Sequence, residues 1–419
     1  MRTGLYLALV QLLFTATWTV YVAFLPQLAA AAGIPKDRVI WILMLDQVIF
    51  IAMDFALGVG ADRVTAAMRR LSGPMVALTA LSCIAFLLLP HAGASPALLL
   101  GLTAIWAITS SALRAPPMAM FSKYAGATAT PRFVFLSLLG IGIAGAIAPW
   151  LTGRLRGLSP ELPFALAAIG LLAAVAAMGW CERRLAADAA RSPGGTPESA
   201  NTANATNAAN TANAAPGSAN AAAANPSQPA ARSSSAAAFF ICIVLLALGF
   251  QIHTALNSAP AYLRFAKAPD LEWLMGLFWV GFSLFIMAPG MGALKNASPP
   301  AMLLAATAGG ALALALLPAA ASLPALIAVQ LAAGAAWGLI TGYALSAAID
   351  AGRTGREGRF TGLIFALLAA AALTRFAIVV SGLNKAPDFA LWLVWLPAIC
   401  WSAALALLAC AVMQRTFSR

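Results

Sequence analysis

The chain has 419 residues, of which 62% are hydrophobic and only 9% charged. A soluble domain carries about 25% charged residues, so a water-soluble globular fold is excluded. The net charge of +12 comes from basic residues scattered through short segments between apolar runs, which excludes a nucleic-acid patch and points to membrane topology.

The apolar runs are long and rich in Ala and Leu, the pattern of membrane-crossing helices rather than alternating barrel strands. Twelve spans are expected, at about 4–31, 39–60, 72–90, 96–122, 133–153, 161–180, 236–263, 272–293, 299–318, 323–349, 359–384 and 388–413. The first has no charge between Arg2 and Lys36. It exceeds a signal-peptide core of roughly 7–15 residues, so a retained helix is expected. Between the sixth and seventh spans the chain turns polar, and its stretch from Asn201 to Asn225 is almost entirely Ala, Asn and Thr. This composition predicts a disordered cytoplasmic linker over 182–235. It separates an N-terminal six-helix half, 1–181, from a C-terminal one, 236–419.

The halves share a repeat. Gly58-Val59-Gly60-Ala61-Asp62-Arg63 recurs as Gly290-Met291-Gly292-Ala293-Leu294-Lys295, an offset of 232 positions. At that offset Thr109–Arg114 falls on Thr341–Ser346. Two similar halves in a membrane chain point to a transporter with its site between them. With both termini inside, sixteen Lys and Arg lie on the inner side and seven on the outer, which agrees with the positive-inside rule.

The segment Gly58-x-Gly-Ala-Asp62-Arg63, followed by Arg69-Arg70, is similar to the Gly-x-x-x-Asp-Arg-x-Gly-Arg-Arg loop of the major facilitator superfamily. Val64 to Met68 replace the family's shorter Gly-containing turn. In the fifth span, Ala144-x-x-x-Ala148-Pro149-x-x-Thr152-Gly153 resembles the family's export-associated Gly-x-x-x-Gly-Pro-x-x-Gly-Gly motif, with small residues at three of the glycines. The resemblance covers essentially the whole chain. It implies an all-α membrane protein with twelve transmembrane helices in two pseudo-symmetric six-helix halves. Independently of it, glycines permit close helix approach, and Asp62 can face a positive helix end. Arg63 and the arginines after it can anchor to an anionic leaflet.

Four charged residues fall inside spans: Asp46, Asp54, Arg114 and Arg375. Such residues are costly in hydrocarbon and default to functional roles. Helix rise puts Asp46 and Arg375 about 5–6 Å to the outer side of their spans' middles. It puts Asp54 and Arg114 about 6–8 Å to the inner side. In the family fold the second and eleventh helices meet across the interface, and the second and fourth are neighbours. Two buried pairs are therefore expected, Asp46–Arg375 between halves and Asp54–Arg114 within one. The alternative is an arginine that binds an anionic substrate and an aspartate that carries a proton. His253 is the single histidine within a span, near Gln251 and Asn257. It is either satisfied by a neighbour or a proton carrier.

The family's helices one, four, seven and ten line the central cavity. The resemblance therefore nominates Gln11, Thr15, Trp18 and Tyr21; Trp106, Thr109 and Ser110; Gln251, His253 and Asn257; and Trp337, Thr341 and Tyr343. Trp106 and Trp337 occupy nearly equivalent places and would stack on a substrate ring, with plain helix packing as the alternative for each residue. Trp41, Trp150, Trp273 and Trp392 sit at span ends as interface anchors.

Other chemistry lacks its motifs. Gly140-Ile141-Gly142-Ile143-Ala144-Gly145 reads GxGxxG but lies inside an apolar span with no strand before it, so it serves helix packing. There is no P-loop and no GxSxG, and the five cysteines stand singly. No enzyme activity, cofactor, metal or disulfide is expected. The expectation is a secondary active transporter of a small organic solute, coupled to protons by symport, working by alternating access. It would act as a monomer in a bacterial inner membrane, with no nucleic-acid partner. The alternatives are a proton-antiport exporter of amphipathic compounds, or a non-transporting sensor or assembly protein.

Overall fold

The structure, a computed structural model, describes residues 2–68, 70–124, 130–191, 228–286, 298–353 and 355–417. The N-terminal half consists of α1 (Arg2–Ala31), α2 (Val39–Met68), α3 (Ser72–Leu88), α4 (Pro96–Ser110), α5 (Ala115–Tyr124), α6 (Thr130–Leu155), α7 (Glu161–Ala176) and α8 (Met178–Arg191). The C-terminal half consists of α9 (Gln228–Ile252), α10 (Ser258–Tyr262), α11 (Leu271–Leu274), α12 (Leu277–Phe285), α13 (Pro299–Leu316), α14 (Leu323–Gly352), α15 (Glu357–Val380) and α16 (Pro387–Phe417).

Among the described residues, eleven helical stretches are long and apolar enough to cross a membrane. The eighth expected span is α11 and α12, followed as far as Ile286. Its remainder, with the second repeat copy Gly290–Lys295, lies outside the described residues. Helix also takes up both edges of the expected linker: α8 continues to Arg191 and α9 starts at Gln228. Residues 192–227 lie outside the description.

Contacts identify one end of the bundle as the end where the chain starts and stops. Gly4 meets Leu136, Cys242 lies 3.7 Å from the Ala404 carbonyl, and Arg353 donates to the Thr130 hydroxyl at 3.3 Å. Each half packs its own aromatic core. Tyr21, Phe86, Phe121 and Phe164 fill the first. Phe282, Trp337 and Trp401 fill the second, which reaches across to Met118 and Phe135 of the first half. Outward faces are apolar, as lipid requires: Leu162, Leu166 and Ile169 form an exposed stripe on α7. Trp41, Trp150, Trp273 and Trp392 are all exposed.

The fourth span is not one helix. A 3-10 turn over Ser111–Leu113 separates α4 from α5. Pro116 and Pro117 cause the break, because neither has an N–H for the carbonyl four residues earlier. The carbonyl freed by Pro117 is that of Leu113, and Gln11 Nε2 donates to it at 2.8 Å. The break leaves Arg114 outside regular helix (φ −97°, ψ −81°), aimed at α2.

Candidate functional site

At the terminal end, α2 of one half lies directly on α15 of the other. A Cβ at Gly58 would strike the Gly358 carbonyl and come within 3.1 Å of Gly362 Cα. A Cβ at Gly362 would strike the Asp54 carbonyl. Only glycine allows this approach. One turn beyond, the Gly358 and Arg359 amides donate to the Asp62 carboxylate at 2.7 and 2.8 Å. These are first-turn amides of α15 with no partner in their own helix, and a carboxylate there also meets the positive helix end. Arg63 is exposed beside them.

A second carboxylate braces the same region. Glu182 of α8 is buried and accepts from the Leu71 and Ser72 amides at 3.0 and 3.1 Å, at the start of α3. It also accepts from the Tyr124 hydroxyl at 3.2 Å. The sequence reading missed this residue, which looked like one more charge at the edge of the linker.

Of the two expected ion pairs, one is present. Arg114 Nη1 donates to Asp54 Oδ2 at 2.6 Å, and its guanidinium lies 4.3 Å from the Phe50 ring centre. Asp54 is fully buried and the Arg114 side chain is 26% exposed. Among the described residues Asp46 and Arg375 form no ion pair. Asp46 turns into its own half and accepts from the Tyr21 hydroxyl at 2.9 Å, and its Oδ1 has no partner among the described residues. Arg375 lies over the Phe376 ring, 4.1 Å from its centre, and its Nε has no partner among the described residues. Equal depth gives equal height but not facing directions.

Between the halves, beyond the α2–α15 contact, lies a cavity of about 260 Å³. The N-terminal half contributes Thr15, Trp18 and Thr19 of α1 with Gly145, Ala148 and Pro149 of α6. The C-terminal half contributes Thr254, Ser258, Tyr262, Met275, Phe278, Trp279 and Gln330. The residues of the export-like motif in α6 thus form part of the wall. Gly145 gives room to the Trp279 ring, and Gly276 lets the Ala146 carbonyl approach, so α6 and the eighth span seal that side.

The C-terminal wall depends on a π turn over His253–Asn257. Such turns insert one extra residue into a helix and recur at functional sites. The His253 carbonyl accepts the Ser258 N–H, the bond that closes the turn, and also the Ser258 hydroxyl at 2.9 Å. Gln330 Nε2 donates to Ser258 Oγ at 3.3 Å, and Gln330 Oε1 faces His253 Nε2 at 2.8 Å. Ser258 has spent its hydrogen, so it must accept from the Gln330 amide. That fixes the amide's orientation, and Nε2 of His253 carries the proton. Nδ1 of His253 has no partner among the described residues.

Of the nominated cavity residues, Trp18 and Thr15 reach this cavity. Tyr21 and Trp106 stand behind Trp18, which stacks on Trp106 at 5.7 Å and 15°. Trp337 stacks on Phe250 at 4.5 Å and 8°, and with Thr341 borders only a void of about 10 Å³. The two tryptophans each pack within their own half and do not face each other. Gln11 serves the α4 break. Thr109 and Ser110 donate to their own helix at 2.7 and 3.1 Å. Asn257 donates to the Leu393 carbonyl at 2.8 Å, Tyr343 packs edge-on against Phe135, and Gln251 is half-buried on α9. Sequence reasoning missed Gln330 and Tyr262.

Comparison with known proteins agrees with this architecture. A family model described as Major Facilitator Superfamily matches residues 7–375. No curated protein sequence matches the chain. Among solved structures, the fold is similar to that of the human organic anion transporter MFSD10 (TETRAN). The TM-score is 0.66 at 14% identity, over 97% of this chain and 99% of that one. The chain belongs to the major facilitator superfamily, whose members are secondary transporters.

Proposed function

We propose that this chain moves a small organic solute together with a proton by alternating access, in a bacterial inner membrane with both termini in the cytoplasm. The observations that carry the reading are the cavity between the halves and, at the terminal end, the α2–α15 glycine contact with Asp62. In this reading the contact seals the cavity from the cytoplasm, and rocking of the halves opens it. The excess of basic residues on the terminal side supports the orientation.

Asp46 is the proposed proton carrier. It is fully buried, holds one hydrogen bond from Tyr21, and has no partner for Oδ1 among the described residues. Trp18 touches Tyr21 and lines the cavity, so two rings, Tyr21 and Trp18, link the carboxyl group to the solute's side. Asp46→Asn keeps an acceptor for Tyr21 and should fold normally. It is expected to abolish solute-dependent proton movement. Undiminished proton movement in this variant would remove Asp46 from the role and turn attention to His253.

The experiment is purified protein in liposomes with an internal pH dye, tested against sugars, organic acids and amphipathic dyes. Solute-dependent acidification in step with solute uptake supports symport. A second reading, proton-antiport export of amphipathic compounds, is favoured by Ala148 and Pro149 in the wall. It predicts proton movement opposite to the solute. A folded protein that binds a solute and moves neither solute nor protons would favour a sensor.

A further inference from the structure

We infer that the cavity binds a monovalent organic cation, a protonated amine with a compact apolar body. The inference deepens the transporter reading, takes its physiological meaning from it, and holds for either direction of proton movement.

The polar groups of the lining set the sign. None of the thirteen lining residues is Asp, Glu, Lys, Arg or His. Four are Thr or Ser, and each has donated its hydroxyl hydrogen to a carbonyl of its own helix. Thr15 gives to Gln11 at 2.8 Å, Thr19 to Thr15 at 3.1 Å, Thr254 to Phe250 at 2.9 Å and Ser258 to His253 at 2.9 Å. A hydroxyl used in this way presents lone pairs only. Thr15 and Thr254, one from each half, are half-buried where they line the cavity. The Tyr262 hydroxyl and the Gln330 amide are buried behind the wall and offer it no hydrogen. The side-chain donors left are the indole N–H groups of Trp18 and Trp279, neutral groups that do not replace the water around an anion. A cation that carries N–H groups meets lone pairs instead.

The rings add to the same sign. Trp18 stacks on Trp106 at 5.7 Å and 15°, stays half-buried, and lines the cavity. Trp279 lines it from the other half, edge-on to Phe278 at 84°. The face of an aromatic ring attracts a cation, Trp most strongly, and more so once water is excluded.

A carboxylate stands at the rim. Gly153 lies one turn beyond Pro149 on α6, and Glu272 lies one turn before Met275, both on the side away from the chain termini. A Cβ at Gly153 would strike the Glu272 carboxylate, so these two rim positions touch. Among the described residues Glu272 forms no ion pair, and the neighbouring Arg154 lies over the Trp150 ring, 5.5 Å from its centre. Glu272 gives an entering cation the opposite charge that the lining lacks.

The test uses the full chain in detergent, where no gradient is needed. Phenethylammonium, 2-phenylethanol and phenylacetate share one apolar body and differ in charge. Their binding is read by thermal stability and tryptophan fluorescence. Phenethylammonium is expected to bind at least about tenfold more tightly than 2-phenylethanol, and phenylacetate more weakly than either. Trp18→Leu should cut the preference for the cation by about tenfold, and Trp18→Phe, which keeps a ring, should retain most of it. If Trp18→Leu does not fold, the comparison of the three ligands on the unmodified chain decides. Glu272→Gln, at the rim, should lower phenethylammonium affinity by about threefold at low salt and leave 2-phenylethanol unchanged. Thr15→Val should weaken phenethylammonium and spare its N,N,N-trimethyl form, which has no N–H. Phenylacetate or 2-phenylethanol binding as tightly as phenethylammonium, an unchanged preference in folded Trp18→Leu, or no binding of the cation at all would each overturn the inference. If another solute moves in liposomes while the cation does not bind, this inference fails and the transporter reading stands. If the cation binds and nothing moves, the reverse holds.

Discussion

Replacing Arg114 with leucine is expected to destabilise the protein by about 3–5 kcal/mol, the effect of leaving one member of a buried ion pair alone. Asp54 is fully buried, Arg114 is its ion-pair partner, and the other Asp54 oxygen has no partner among the described residues. The variant also loses the guanidinium packed on Phe50. Asp54→Leu should cost less, because the Arg114 side chain is 26% exposed and can turn toward water. The double variant Asp54→Leu/Arg114→Leu should recover most of the loss, since no charge is stranded. Thermal unfolding in detergent and the yield of monodisperse protein measure this. A double variant as unstable as Arg114→Leu would show that shape at these positions, not pairing, holds α2 to the broken fourth span.

Gly58→Leu is expected to stop transport while leaving both halves folded. The glycine lies on the seam between halves, where a side chain would strike α15 backbone. Overpacking of this kind costs about 1–3 kcal/mol. That shifts a two-state population by about 5- to 150-fold, here toward states with the terminal end open. A cysteine placed at Thr15 should then react faster with an impermeant thiol reagent added at the terminal end. Gly140→Leu is the control. A Cβ there would strike the Ala8 carbonyl, inside one half. It should lower stability without raising that reactivity. If Gly58→Leu leaves reactivity unchanged, the seam is not a gate.

Much of the architecture was legible because hydrophobic run length alone marks membrane helices. The fourth span's break had a signal in Pro116-Pro117, but the span was expected to be continuous, and Gln11, nominated for the cavity, shows its partner only in three dimensions. Asp54–Arg114 could be read from depth because the two side chains happen to face each other. Asp46–Arg375 could not, because depth leaves the rotation of each helix open, and Tyr21 claims Asp46 from within its half.

The site was legible in part. Trp18 was found, whereas Trp106 and Trp337 carry the same chemistry on faces that turn inward to aromatic neighbours. Gln330 did leave a signal. It is the sole polar residue of amide or hydroxyl type between Leu323 and Ile340. A lone amide in so apolar a helix needs a partner, and here it has two. The π turn that aims Ser258 has no sequence signature, so Ser258 and Tyr262 became visible only in three dimensions.

The central claim is that the terminal end must open for solute to pass. It is tested most directly by tethering α2 to α15 there. Arg63→Cys and Arg359→Cys place two exposed thiols on either side of the Asp62 contact, in a background lacking the exposed Cys410. A short, cleavable crosslinker then joins them in liposomes. The account predicts that the tether stops solute-dependent flux and that cleaving it restores the flux. A tethered protein that transports at the untethered rate would contradict it.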